Sequence, residues 1–208
     1  MPTDQTRLPL SNRIDKVAPS ATLAVDMKAK AMKAQGIDII GFGVGEPNFA
    51  TPEAIVEAAA AAVVNPANYK YSPTPGLPEL RQAIASKTLR DSGYEVEPEQ
   101  VVVTNGGKQA VYEAFQLIVN DGDEVIIPSP YWTSYPEMVK LAGGKPVEVF
   151  AGADVNYEPN LDDIEAARTD RTKAIIVTSP NNPTGAVWSE RTIRDIAEWA
   201  LDHNIWVI

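Results

Sequence analysis

From residue 101 onward the chain repeats one pattern, a short run of β-branched and aliphatic residues followed by a stretch with helical spacing of its apolar positions. The runs are VVVT (101–104), EVII (124–127), PVEVF (146–150), AIIVT (174–178) and IWVI (205–208). The stretches between them predict helices over 108–120, 134–141, 161–168 and 190–203. Four β-then-α units in series leave few folds open, because strands joined by helical crossovers run parallel and need helices to cover the sheet. The runs are mostly apolar throughout rather than alternating, as expected of strands buried on both faces. The expected fold class is therefore α/β, a mainly parallel sheet with helices on both faces.

Helix boundaries carry their own signals. Thr51-Pro52-Glu53 offers an N-cap, a proline at the first helical position and an acid in the first turn. Pro78-Glu79 opens a further helix that Gly93 can close, and Ser189-Glu190 opens the last one. Before residue 50 the pattern weakens to a helix from Ala21 to Gln35, stopped by Gly36, and a short IDII strand (37–40) entering GFGVGEPNF. Residues 1–50 read as an arm plus part of a smaller domain, and 51–208 as the first portion of a larger one. The chain closes on IWVI, an apolar strand with no turn or polar tail behind it, which predicts the N-terminal part of a longer protein.

Composition narrows the chemistry. There is no Cys and one His, so thiolate nucleophiles, disulfide frameworks and His- or Cys-based metal motifs are closed, and no metal site is expected. A net charge of −10 argues against nucleic-acid binding, which draws on cationic neutralisation of phosphates. The longest uninterrupted apolar stretch, Ala58 to Val64, is far short of the ~20 residues of a membrane span. The N-terminal stretch lacks the apolar segment of a targeting signal, so a soluble cytoplasmic protein is expected.

Three loops at strand ends hold most of the candidate site residues. Gly106, Gly107 and Lys108 follow a strand and open a helix, where backbone N–H groups and a lysine can meet an anion; a tight turn without ligand is the alternative. A Walker A loop would need glycine in place of Val102 and Ser or Thr after the lysine, so a phosphate-bearing cofactor fits better than a nucleoside triphosphate. Trp132 in SPYW follows EVII, where an indole could stack on a flat ring or simply be core. In Ser179-Pro180-Asn181-Asn182-Pro183-Thr184-Gly185 two prolines and a glycine stiffen the loop, which would hold the Asn182 amide as a preorganised donor. Gly41, Gly43 and Gly45 miss the dinucleotide fingerprint, since the third glycine comes one residue early; Gly45 is either a close approach to a small ligand or a flexible turn.

GVGEPNF (43–49), KYSPTPG (70–76), GGK (106–108), SPYW (129–132) and NNPTG (181–185), in this order, resemble the class I pyridoxal-phosphate-dependent aminotransferases of fold type I, and most the bacterial aspartate aminotransferase subgroup. The resemblance covers the chain from about residue 10 and implies pyridoxal 5'-phosphate as cofactor. It implies that Asn182 bonds the cofactor's ring oxygen and Trp132 stacks on its ring. Gly106, Gly107 and Lys108 then cradle the phosphate, with Lys108 also near the substrate's distal carboxylate, and Gly45 faces the substrate. Tyr71 reaches the neighbouring subunit's cofactor, which implies a homodimer. The implied reaction exchanges the amino group of an amino acid, L-aspartate foremost, with 2-oxoglutarate. Aromatic amino acids, alanine or prephenate are the alternative substrates within the family, and a non-catalytic fragment or scaffold is the alternative from another class.

The empty list of Cys and His then has a cause, since the cofactor carries the difficult chemistry and the protein supplies binding, orientation and a base. In such a family that base is the Schiff-base lysine in a Ser-x-Ser-Lys segment. Ser86-Lys87 imitates it, yet Ile84 and Glu95 break the pattern, and Lys87 reads as a solvated helix residue. The true lysine, the aspartate for the pyridine nitrogen and the arginine for the α-carboxylate are expected beyond Ile208, so no residue here is assigned as catalytic. His203 is given no role. A 208-residue product verified by intact mass is expected to lack transaminase activity and to bind pyridoxal phosphate weakly; measured turnover would overturn this.

Overall fold

The computed structural model describes residues 11–43, 45 and 47–208. Val44 and Glu46 of GVGEPNF and the first ten residues of the arm lie outside the described residues. The helices are α1 (Ala21–Ala34), α2 (Glu53–Val63), α3 (Pro78–Ser92), α4 (Gly107–Ile118), α5 (Ser134–Leu141), α6 (Leu161–Ala167) and α7 (Glu190–Asp202). The strands are β1 (Glu124–Ser129), β2 (Lys145–Phe150), β3 (Thr172–Ile175) and β4 (Trp206–Val207). Contacts divide the chain into two compact units, one of residues up to 44 with Val111–Ile208, the other Gly45–Ala110.

The first unit holds the sheet, with all pairs parallel and the order β2-β1-β3-β4. The chain steps from β1 outward to β2 through α5, returns past β1 to β3 through α6, and continues to β4 through α7. Right-handed crossovers that reverse direction must place α5 on one face and α6 and α7 on the other. The packing follows. Val125, Ile127, Ala174 and Ile176 cluster with Phe115 of α4 and Met138 and Val139 of α5. Ile126, Val149 and Ile175 cluster with Ile164 of α6 and Ile196, Trp199 and Ala200 of α7. Neighbouring residues of β1 thus serve opposite faces, as the period-two geometry of a strand requires. All six residues of β1 are buried, and each wholly enclosed Val or Ile contributes roughly 1.5–3 kcal/mol.

Four expectations are corrected. VVVT (101–104) is extended but belongs to no ladder; its Val103 N–H donates to Pro75 O at 2.9 Å, and Val102 is 62% exposed. A strand is defined by its neighbour, and among the described residues this one has none. IDII (37–40) forms no strand for the same reason, and Ile40 is 80% exposed. IWVI is less buried than its apolarity suggests: Ile205 is enclosed, whereas Trp206 and Val207 are exposed on β4, at the edge of the described sheet. Pro52 rather than Thr51 is the N-cap of α2, and no side chain caps that end.

Other caps match the reading. Gly93 closes α3 in the left-handed conformation, φ 70°, which glycine adopts without the Cβ penalty. Ser189 caps α7, accepting from the Thr192 N–H at 3.2 Å, while Glu158 accepts from both hydroxyls. In the second unit, α3 is tied to the extended stretch by the Arg81 guanidinium, which donates to Val101 O at 2.9 Å. Gly76, at φ 112°, turns against Val103, and an added Cβ would come within 2.7 Å of that side chain.

At the opposite end of the strands from the candidate loops, Glu124 opens β1 with a fully buried side chain. It accepts from the Thr169 hydroxyl at 2.7 Å, Lys145 at 3.0 Å and Arg171 at 3.3 Å. The Thr169 bond chiefly holds its carboxyl below the ordinary range, against the opposing effect of burial and with help from the two cations. A lowered folded-state value means its stabilisation is full above the ordinary carboxylate range and is lost as pH falls toward the folded value. Glu124→Gln is expected to cost about 1–3 kcal/mol at neutral pH. In urea unfolding of the intact protein the gap to wild type should narrow as pH is lowered toward 3; a gap independent of pH would contradict the assignment.

Candidate active site

Strand order reverses at β1, so the C-terminal ends of β1 and β3 feed loops whose helices leave toward opposite faces. That divergence opens a crevice, the place where open α/β sheets bind ligands. The loop after β1 carries Pro130, Tyr131 and Trp132, and the loop after β3 carries Ser179 to Gly185. Two of the candidates, Trp132 and Asn182, are therefore brought to the same crevice.

Each loop is fastened by side chains. Tyr135, one helical turn past Trp132, meets the indole edge to face, with ring centroids 5.4 Å apart and planes at 89°. The Tyr135 and Thr178 hydroxyls share a hydrogen bond of 3.2 Å that ties α5 to the segment after β3. Ser129 donates to Glu148 at 2.6 Å, anchoring the end of β1 to β2. Burial chiefly, and then the Glu148 carboxylate, push the Tyr131 phenol upward. In the β3 loop Asn181 is buried; its Nδ2 donates to Pro130 O at 3.0 Å, and its Oδ1 accepts from the Thr184 N–H and hydroxyl. Farther along, the buried Trp188 donates its backbone N–H to Ser179 Oγ at 3.0 Å and its indole N–H to Tyr157 O at 3.1 Å.

This refines the reading of the loop. The residue held by hydrogen bonds is Asn181, and the neighbouring Asn182 is exposed, its amide without a partner among the described residues. Backbone and neighbour hold the loop, and the Asn182 amide takes no part in holding it. Asn181 was missed, although Asn followed three residues later by Thr is a signal for a side-chain-capped turn. Tyr135 was missed as well, and its three-residue spacing from Trp132 within a predicted helix start was the available clue.

The chain before α1 also borders this region. Ala18 N–H donates to the Glu137 carboxylate at 2.8 Å, and a cavity of about 400 Å³ opens between residues 17–21 and α5, lined in part by Tyr131 and Thr133.

Gly45, Tyr71, Gly106, Gly107 and Lys108 belong to the other unit. Gly106 takes φ 86°, which explains glycine there, and α4 begins at Gly107 with its first-turn N–H groups at the positive end of the helix. A Cβ at Gly106 or Gly107 would meet nothing within 4 Å, so this turn is open on its outer side. The Asn105 N–H is capped by the Gln109 side chain at 2.8 Å, which makes Gln109 a structural residue of the turn. Gly45 has the same open surroundings, and the Tyr71 side chain is wholly exposed. An open turn at a helix N-terminus with a lysine suits a phosphate, while an indole and an unpartnered amide at the crevice suit a flat polar ring. Each set, taken by itself, is of a kind that one part of a phosphorylated aromatic cofactor would need.

Lys87 is an exposed residue of α3 paired with Asp91 at 2.9 Å. His203 is the C-cap of α7, its ring tilted 60° to that of Trp199 with centroids 5.4 Å apart, and its Nε2 lies 3.5 Å from Glu165. Among the described residues no group of three acidic or histidine side chains could hold a metal, and no helix is long and apolar enough to cross a membrane.

Residues 37–208 match the family model for aminotransferase class I and II. An aspartate aminotransferase of Streptomyces avermitilis is 55% identical over 206 residues, which cover 99% of this chain and 50% of that protein. A probable aspartate aminotransferase of Streptomyces griseus is 56% identical over 96% of this chain and 93% of that protein. Among solved structures, the Thermus thermophilus aspartate aminotransferase with maleate superposes with a TM-score of 0.90 at 46% identity, covering 97% of this chain and 52% of that one. The chain belongs to the class I and II aminotransferases, whose members are pyridoxal phosphate enzymes. It spans about half the length of the Streptomyces avermitilis and Thermus thermophilus relatives.

Ser179→Ala strips the buried Trp188 N–H of its acceptor and is expected to cost about 1–3 kcal/mol. A urea midpoint for the variant equal to wild type would show that another group satisfies that N–H.

Proposed function

We propose that the whole protein is a pyridoxal-phosphate-dependent transaminase that exchanges the amino group of L-aspartate with 2-oxoglutarate. The observation that carries the reading is the placement of Trp132 and the unpartnered Asn182 amide on the two loops that flank the point where strand order reverses. The names and identities of the relatives favour aspartate as the substrate.

When bound, pyridoxal phosphate supplies the electron sink that stabilises negative charge at the substrate α-carbon. This chain's own residues bind and orient. Trp132 would stack on the cofactor ring, its plane steadied by Tyr135. The Asn182 amide would donate to the ring oxygen, where negative charge is best met by a fixed donor. Gly106, Gly107 and Lys108 would hold the phosphate at the start of α4, with Lys108 also within the substrate's distal carboxylate subsite, and Gly45 would leave room for substrate against the backbone. Tyr71, exposed in this chain, would complete the site of a second subunit in a homodimer. In this reading residues 1–50 are the arm and part of the small domain, 51–208 the first portion of the large domain, and the protein works in the cytoplasm. The proton-transferring lysine would come from the remainder of the protein.

The test uses the full-length protein reconstituted with pyridoxal phosphate. A bound-cofactor absorption band near the visible edge is expected, with turnover of L-aspartate and 2-oxoglutarate exceeding that of aromatic amino acids, alanine and prephenate. No band after reconstitution would overturn the cofactor reading, and preference for another donor would overturn the substrate alone. Asn182→Ala is expected to lower kcat/KM by about 10²–10³, the usual cost of removing a fixed donor to developing charge.

A further inference from the structure

We propose that Asn181 is a positioning residue, which sets the separation of the Trp132 indole and the Asn182 amide by clamping the loop after β3 to the loop after β1. The inference rests on the reading of those two residues as the contacts to the cofactor ring, and it adds a residue that contacts neither cofactor nor substrate.

Asn181 is one of the few buried polar side chains among the described residues, 7% exposed. Its backbone N–H donates to Ala186 O and its carbonyl accepts from the Gly185 N–H, both at 2.8 Å, so its place in the loop is set by main-chain bonds. Its Oδ1 accepts twice from Thr184, within the loop. Its Nδ2 alone reaches out of the loop, donating at 3.0 Å to Pro130 O across 51 residues of sequence. Pro130 stands two residues before Trp132, and Asn181 stands next to Asn182. One side-chain bond therefore couples the two groups that would face the ring.

The chemistry of the position explains the residue type. The site needs an acceptor on the Thr184 side and a donor on the Pro130 side, and a carboxamide supplies both from one planar group. An aspartate would keep the acceptors and set a second oxygen against the Pro130 carbonyl. A residue of purely local importance would be equally sensitive to loss of either side. A clamp is sensitive to the Pro130 side.

The experiment compares Asn181→Asp with Thr184→Val in the full-length protein. The first keeps the bonds to Thr184 and loses the clamp; the second loses the Thr184 hydroxyl bonds, including that to the Ala186 N–H at 3.2 Å, and keeps the clamp. Pyridoxal phosphate is titrated into each apoprotein, followed by tryptophan fluorescence quenching and visible circular dichroism, and the pH midpoint of the bound absorbance is recorded. Asn181→Asp is expected to weaken binding about 10- to 100-fold, as loss of an outer partner does at other bound groups, to reduce the dichroism and to shift the pH midpoint. Thr184→Val is expected to change affinity by less than about fivefold, with dichroism and pH midpoint as in wild type. Should Asn181→Asp fail to fold, Asn181→Ser, uncharged and too short to reach Pro130, carries the same expectations. Equal effects from the two positions, or a wild-type pH midpoint in the clamp variant, would overturn the inference while wild-type binding stands. Failure of the wild-type protein to take up pyridoxal phosphate would overturn the cofactor reading and the clamp with it.

Discussion

The central strand β1 leaves no face to water, and that requirement governs the rest of the unit that contains it. Every apolar side chain of β1 has to find cover, alternate ones on alternate faces, and helices arriving by right-handed crossovers can cover both faces only if the chain changes direction across the sheet. The reversal falls at β1. Because α5 leaves toward one face and α6 and α7 lie on the other, the loops after β1 and β3 diverge, and a crevice at their ends is a geometric by-product of covering the strands. The crevice is thus a consequence of how the core is closed.

A crevice becomes a site when its walls are held at a fixed spacing. Here the walls are loops, and loops are held by side-chain bonds rather than by a ladder. Tyr135 to Thr178 and Asn181 to Pro130 join the two loops, and Ser129 to Glu148 anchors the first of them to the sheet. The cost of burying these polar groups is offset because each finds a partner; no buried side-chain nitrogen or oxygen among the described residues lacks one. The exposed Asn182 stands apart from this fastening.

The second unit shows the opposite economy. Of its described residues only Ala85 is buried, and α2 and the residues around Tyr71 expose most of their side chains. Its turn at Gly106 and Gly107 carries local devices, a left-handed glycine and the Gln109 cap. That is why this turn could be read from its residues, as could the cap of α7 at Ser189 and the close of α3 at Gly93: each depends on groups within a few positions.

By itself, the sequence determined the parallel α/β class, the helices α3, α5 and α7 with their boundaries, and the turn and loop motifs that mark an aminotransferase. All of these follow from local periodicity, from glycine and proline conformation, and from side chains that cap their own neighbours. Tertiary structure alone decided which runs become strands. VVVT and IDII have the composition and lack the neighbour, while IWVI pairs on one side and leaves Trp206 exposed. It also decided that Asn181 is buried and Asn182 is not, because that choice rests on a hydrogen bond to Pro130, 51 residues away. Contacts between distant segments depend on how the sheet is ordered, and no window of sequence contains that order.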